Sequence, residues 1–308
     1  MLRKTAFLLG LVVLNVLPAE AQLRPTESVT VTGIKPSEQA IDDFLFSHTA
    51  PSRTLGKIAR WKTPVCPLTV GLGTKYAAFV SQRIRQVAAQ TGAPVDTDKD
   101  CKPNIRLVFT TKPQELLDNV RRDHSIYLGF FQNRLQSAQL AAIKHPIQSW
   151  YTTATADLRG SAQIDSGKGG GVDFSIYDPG NDGAPTVLNM SLPNASARNV
   201  TGNRLNDGLS SEFYNALIVA EPAKLMEHEI GTLADYIAML ALADPGSLET
   251  CAEFPTILNL LVPGCVRIAT HLTEGDLAYL KALYKMTPAN TLLAQRGQMR
   301  YQMQQALK

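Results

Sequence analysis

The four cysteines constrain the fold of this 308-residue chain most strongly, because cross-links decide which segments must lie together. Cys66, Cys101, Cys251 and Cys265 form an even set. They contain no C-x-x-C spacing, which structural zinc sites usually show. We therefore expect disulfide bonds rather than a four-thiolate zinc site, provided that the chain reaches an oxidising compartment.

The N-terminal residues predict that the chain is exported from the cytoplasm. Arg3 and Lys4 precede an apolar run that ends at Pro18, and Ala19 and Ala21 flank one residue in the manner of a cleavage site. This is the pattern of a secretory signal peptide. The apolar run is shorter than the roughly 20 residues that a membrane span needs, although an uncleaved anchor is the alternative. We expect a signal peptide over residues 1–21 and a periplasmic or secreted protein.

Four cysteines allow three connectivities, and the sequence alone does not choose among them. The pairs Cys66–Cys101 and Cys251–Cys265 are favoured because each lies within one local segment. The second pair closes a loop of about 14 residues, which the chain-entropy model values at about 3 kcal/mol.

Composition and charge narrow the class of protein. The chain is 44% hydrophobic and 19% charged, which is typical of a globular protein. Its formal net charge of +3 would fall to +2 without residues 1–21. Such a small charge, with no basic stripe among aromatic residues, argues against nucleic-acid binding. No later apolar run is long enough to span a membrane. The partner we expect is an unidentified protein or peptide in the cell envelope.

Hydrophobic periodicity predicts a mixture of helices and strands, and hence an α+β fold. The predicted helices are a short patch near residues 41–45 and the segments 76–90, 113–122, 223–243, 273–284 and 292–307. The predicted strands are 28–33, 65–70, 104–109, 172–177, 187–192 and 215–220. We divide the chain into a signal peptide 1–21, an N-terminal leader 22–60, a main domain 61–288 and a C-terminal helical tail 289–308. The segment 160–203, rich in Gly, Ser, Asn and Asp, is either a mobile lid or a rigid insert.

One series of elements resembles a known family. A helix that ends at Gly92 and a strand that begins at Asn104 are similar to the opening of a zincin-type metallopeptidase domain, with the metzincin branch nearest. That family continues with an edge strand, a helix carrying H-E-x-x-H and a last helix of the form D-x-x-x-L-x-x-L-Y. Here the corresponding segments are 215–220, 228–232 and 276–284. The resemblance implies a zincin-like mixed sheet with a long central helix and C-terminal helices.

The resemblance also implies candidate site residues, but the metal motif is degenerate. His228 matches the first zinc ligand and Glu229 matches the catalytic general base. Thr232 stands where the second histidine belongs, and a neutral hydroxyl is a poor zinc ligand. Asp235 lies roughly 10.5 Å along the helix from His228, too far to share one ion with it. His271 has a spacing that does not match the third ligand of metzincins. We therefore expect no cofactor; zinc is the metal to test for.

The same segment has an explanation that needs no metal. Met226, Ile230, Leu233, Ile237 and Leu240 recur at helical spacing and form a predicted core stripe. The opposite face, which carries His228, Thr232 and Asp235, is then a solvated surface.

Three functions remain open at this stage. The first, which we favour, is a non-catalytic binding protein of the cell envelope on a degenerate metallopeptidase-like scaffold. The second is an active zinc-dependent peptidase with an irregular ligand set. The third is an exported α+β domain unrelated to zincins.

Overall fold

The computed structural model describes residues 35–98, 100–165, 172–178, 186–192 and 208–308. The predicted signal peptide, the predicted strand 28–33 and much of the segment 160–203 lie outside the described residues.

The fold is α+β, as the sequence predicts. The helices are α1 Glu38–Ser47, α2 Thr74–Thr91, α3 Pro113–Asp123, α4 Arg134–Leu140, α5 Ile230–Leu242, α6 Glu274–Lys285 and α7 Leu292–Ala306. The strands are β1 Pro67–Val70, β2 Ile105–Phe109, β3 Ile147–Ala156, β4 Ala162–Ile164, β5 Val172–Asp178, β6 Thr186–Leu192 and β7 Ser210–Ala220. Short 3₁₀ helices cover Ser125–Leu128, Pro222–Lys224 and Ile257–Leu261.

The main sheet is mixed and has the order β1-β2-β7-β3-β4. Strands β1, β2 and β7 are parallel, whereas β3 is antiparallel to both β7 and β4. The prediction that 215–220 forms an edge strand is wrong, because β7 lies between β2 and β3. The reason is visible in its sequence: residues 216–220 are all apolar and all buried, as in a strand covered on both faces.

Two hydrophobic clusters cover the two faces of this sheet. The larger cluster packs α1, α2, α5, α6 and α7 against one face, with Ile84, Ile218 and Ile237 among its buried members. The smaller cluster packs α3 and the 3₁₀ helix Ser125–Leu128 against the other face, around Trp150 and Leu217. Covering both faces is what the parallel strands require.

The described part of the leader, from residue 35 onward, and the tail belong to the same compact unit as the central segment. In α1, Phe44 stacks on Phe254 with ring centroids 4.4 Å apart. The Trp61 indole N–H donates to the Ala241 carbonyl at 2.7 Å. In α7, the buried Gln295 side chain accepts from the Ile58 N–H at 2.9 Å. The sequence boundaries near residues 60 and 288 therefore do not separate packing units.

Both expected disulfide bonds are present. Cys66 and Cys101 are joined with their Cα atoms 6.0 Å apart, and Cys251 and Cys265 with theirs 5.5 Å apart. The first bond ties the segment before β1 to the loop before β2. Among the described residues no helix is long and apolar enough to cross a membrane.

His48 generates a prediction about stability and pH. It follows α1, is only 3% exposed and stacks on Phe44 with ring centroids 4.7 Å apart. Burial lowers its pKa from 6.5 to about 4. Between pH 6.5 and about pH 4, His48 is protonated in the unfolded chain but neutral in the folded protein. The free energy of unfolding therefore decreases as the pH falls through this range.

We expect His48→Gln to remove this dependence. The difference in the free energy of unfolding between wild type and variant should shift by about 2 kcal/mol in favour of the variant between pH 7 and pH 5. Urea denaturation at the two pH values measures it. An equal difference at both pH values would show that His48 titrates normally.

Candidate functional site

The two residues that match the metallopeptidase motif lie before a helix rather than within it. Helix α5 begins at Ile230, and Glu229 is its exposed N-cap residue, with an extended backbone and no capping bond from its side chain. His228 lies half-buried in the preceding turn, where its N–H donates to the Leu225 carbonyl at 3.0 Å. The prediction of one helix over 223–243 is therefore wrong in its first third.

The physical reason is that Pro222 begins a separate 3₁₀ turn and the extended Glu229 backbone interrupts helical bonding. The spacing of apolar residues does not reveal such a break. Met226, placed in the core stripe by its spacing, is 85% exposed as a result. The argument that His228 and position 232 lie one helical turn apart does not apply to this geometry.

The predicted solvated face of α5 is also wrong, because Thr232 and Asp235 are buried. Arg83 of α2 donates through Nε to one Asp235 oxygen. The Leu272 N–H donates to the other at 3.0 Å, and His271 Nδ1 lies 3.7 Å from it. These partners allow the carboxylate to be buried.

The structure thus brings Asp235 and His271 together in a contact that involves neither His228 nor Glu229. Within the described part of the chain, no three His, Cys, Asp or Glu residues are grouped so that they could hold a metal ion.

A cleft lies elsewhere, at the open side of the sheet. Its volume is about 440 Å³, and part of its floor is β3, with residues 148–151 and 153 lining it. The walls come from four segments that are distant in sequence: residues 50–53, residues 128–130, residues 139–140 with 144–145, and residues 244–249.

The hydrogen bonds of β3 show which of its backbone groups face this cleft. The Pro146 carbonyl accepts from Glu221, just beyond the end of β7, whereas the Thr153 carbonyl accepts from Asp165, just beyond the end of β4. Backbone groups alternate in direction along a strand, so those of Ser149 face away from β7. In the described ranges nothing hydrogen-bonds to the Ser149 backbone on that side.

Strand β4 leaves this edge open because it is short. It pairs only with Ala154–Ala156, at the far end of β3. The first half of β3 therefore presents an unpaired strand edge to the cleft, with Ser149 near its middle.

Gly129 closes one end of the open edge. A Cβ atom at this position would lie 2.5 Å from the Tyr151 carbonyl oxygen, and the backbone has a φ of 81°. Only glycine accommodates both conditions without strain. The packing of Gly129 on Tyr151 therefore fixes where the open edge ends.

The Tyr151 hydroxyl joins the strand edge to the end of α5. It lies 2.9 Å from Ser149 Oγ and 2.9 Å from the Ala243 carbonyl oxygen. Asp244 follows Ala243 directly, and both Asp244 and Ser149 line the cleft. This tyrosine is partly buried, and the removal of its hydroxyl from water raises its pKa, so the hydroxyl stays protonated and able to donate.

The cleft carries charges of both signs. Burial raises the pKa of Asp244 to about 6, a shift opposed by the N–H of Gly246 and by the charge of Arg53. At the outer rim Lys144 and Glu249 approach to 4.0 Å, and burial lowers the pKa of His145. A ligand with polar main-chain groups and a charged side chain would suit this lining better than an apolar molecule.

Ser52 adds a further polar group to the cleft. Its side chain is buried and lines the cleft, and its hydroxyl has no hydrogen-bond partner in the part of the chain that the structure describes. Buried hydroxyls normally have such a partner. The Ser52 hydroxyl oxygen itself has almost no accessible surface, so a ligand in the cleft would reach it only if this wall moved.

Comparison of the chain with protein-family models, with curated proteins and with solved structures finds no match. The zincin-like character of the chain therefore stays a prediction from the order of the elements and the partial motif.

Sequence reasoning missed β3 and with it the cleft. The strand has the alternation of a half-buried strand, because Trp150, Thr152, Ala154 and Ala156 are buried and the residues between them are less so. Threonine and alanine make this alternation weak on any hydrophobicity scale, and the strand was not predicted for that reason.

The packing of Gly129 leads to a prediction about stability. We expect Gly129→Ala to lower the free energy of unfolding by about 2–3 kcal/mol, since both the carbonyl contact and the positive φ oppose a Cβ atom. Gly264→Ala is the matched control, because its φ is 80° but no atom lies within 4 Å of the added carbon. It should cost only about 1 kcal/mol. Equal losses in chemical denaturation would show that Gly129 does not pack on Tyr151.

Proposed function

We propose that this is an exported, non-catalytic binding protein that takes an extended peptide segment into the cleft beside β3. The scaffold is zincin-like, with a motif that has lost its metal site. The protein works in the periplasm or outside the cell, and its ligand is a segment of an envelope protein or a free peptide.

The observation that carries this proposal is the open edge of β3 within a cleft. An exposed strand edge binds an extended peptide by adding a strand to the sheet, with main-chain hydrogen bonds supplying affinity and neighbouring pockets supplying selectivity. The outward N–H and C=O of Ser149 are the groups that such a peptide would bond to, and the four walls around them would hold its side chains.

Other features support the remaining parts of the proposal. The order α2, β2, β7, α5, α6 along the chain is the one on which the resemblance to zincins rests, although β7 lies inside the sheet and not at its edge. Thr232 is buried, and Glu229 lies before its helix, so neither is placed as the metallopeptidase motif requires. The two disulfide bonds favour an oxidising compartment outside the cytoplasm.

The test uses the mature chain, residues 22–308, and a library of end-capped, fluorescein-labelled pentapeptides scored by polarisation. Ser149→Pro removes the outward N–H, and we expect it to weaken the best binders by up to about tenfold, as loss of one main-chain hydrogen bond implies. Ser149→Ala is the control, because it keeps that N–H and should bind as wild type does.

Two results would contradict the proposal. One is a library without any binder, or binders that Ser149→Pro leaves unaffected although both variants fold. The other is one zinc ion per chain in protein purified without a metal-affinity tag, lost in His228→Ala. That result would restore the peptidase interpretation.

A further inference from the structure

We propose that Asp244 selects a lysine or arginine side chain of the peptide held in the cleft. This inference rests on the proposed function and names the chemistry that the site recognises. Asp244 lines the same cleft as Ser149. It follows Ala243, whose carbonyl oxygen lies 2.9 Å from the Tyr151 hydroxyl, as does Ser149 Oγ.

The position of Asp244 is electrostatically unfavourable within the protein alone. It comes two residues after the end of α5, where the partial negative charge of the helix dipole disfavours an anion. Its side chain is also partly removed from water. A carboxylate placed in this way is stabilised when a cation approaches it.

The protein itself compensates this charge only in part. One Asp244 oxygen accepts from the Gly246 N–H at 3.0 Å. No Lys, Arg or His among the described residues forms an ion pair with Asp244. Arg53 acts on it only at longer range, and its guanidinium donates to the Phe130 carbonyl at 3.4 Å. The second carboxylate oxygen accepts no hydrogen bond from the described residues and is not among the buried atoms that lack a partner, so it is exposed to solvent.

A long side chain with a terminal cation fits this position best. A lysine ammonium or an arginine guanidinium can bond to the open oxygen while its aliphatic stem packs on the wall formed by Ala50 and Pro51.

The other ionisable groups around the cleft do not offer an equivalent site. Lys144 would repel a cation, and Glu249 at the rim has Lys144 as its neighbour. Burial lowers the pKa of His145, so its ring is neutral at pH 8 and does not attract or repel a cation strongly. Behind Asp244, Tyr151 and Tyr279 are phenols whose pKa values are raised, so they stay neutral.

The experiment compares end-capped Thr-Val-X-Val-Thr peptides in which X is lysine, norleucine or glutamate, with binding measured by calorimetry. We expect wild type to bind the lysine peptide about tenfold more tightly than the norleucine peptide at pH 8. The preference should disappear in Asp244→Asn, which keeps an acceptor for the Gly246 N–H. Glu249→Gln, the control acid in the same cleft, should retain it.

The pH dependence of the lysine preference is a second readout. It would not change if Asp244 only stabilised the fold. A cation binds the ionised carboxylate, so the lysine preference of wild type should be lost as the pH falls below about 6, where Asp244 takes up a proton. Asp244→Asn should show the same ratio of lysine to norleucine affinity at pH 8 and pH 5.

The outcomes separate the two proposals. Binding of all three peptides without a lysine preference, or a preference that persists in Asp244→Asn, would overturn the role of Asp244 and leave the peptide cleft standing. Absence of binding by every peptide would overturn both.

Discussion

The placement of β7 determines the rest of this structure. Its apolar half, residues 216–220, is buried on both faces, so it must lie inside the sheet and both faces must be covered. On one side it pairs with β2 in parallel, and on the other with β3 in antiparallel orientation. Because β4 covers only the end of β3, the sheet stops at an edge whose first half is unpaired. The cleft is the consequence of that arrangement.

Three buried or partly buried carboxylates differ in how many hydrogen bonds they accept from the rest of the protein. Asp235 accepts hydrogen bonds from the Arg83 side chain and from the Leu272 N–H. Asp276 accepts from Thr256 and from two backbone N–H groups, which holds the segment before α6 in place. Asp244 has one such bond, to Gly246, although its surroundings raise its pKa as they do that of Asp276. The fold satisfies the first two within itself. The third is incompletely satisfied, and it is the one that lies at a cleft.

Much of the fold is predictable from local sequence. The helices α2, α3, α6 and α7 follow their hydrophobic periodicity, and Gly92, with a φ of 88°, ends α2 as its sequence indicates. The disulfide pairs follow from local spacing. Local sequence does not reveal which buried charge is neutralised by a residue that is distant in the chain. The burial of Asp235 depends on Arg83, which lies 152 residues away in the chain.

The candidate site was less predictable than the fold, because its parts are dispersed and individually weak. Strand β3 is built from threonine and alanine, and the cleft walls come from four separate segments. The partial metallopeptidase motif drew attention to His228 and Glu229, whereas the groups that meet at the cleft are a strand backbone at Ser149 and the carboxylate of Asp244. Backbone groups leave no trace in the sequence, so only the pairing of strands reveals them.

The most direct test of this account is amide hydrogen exchange at two neighbouring residues of the free, mature protein. If the edge of β3 is open, the Ser149 N–H is unpaired and exchanges fast, while the Trp150 N–H, which faces β7, is strongly protected. That difference between adjacent amides is the result we predict. Equal, strong protection of both would mean that another part of the chain already occupies the edge, and that the cleft is not a site for a peptide.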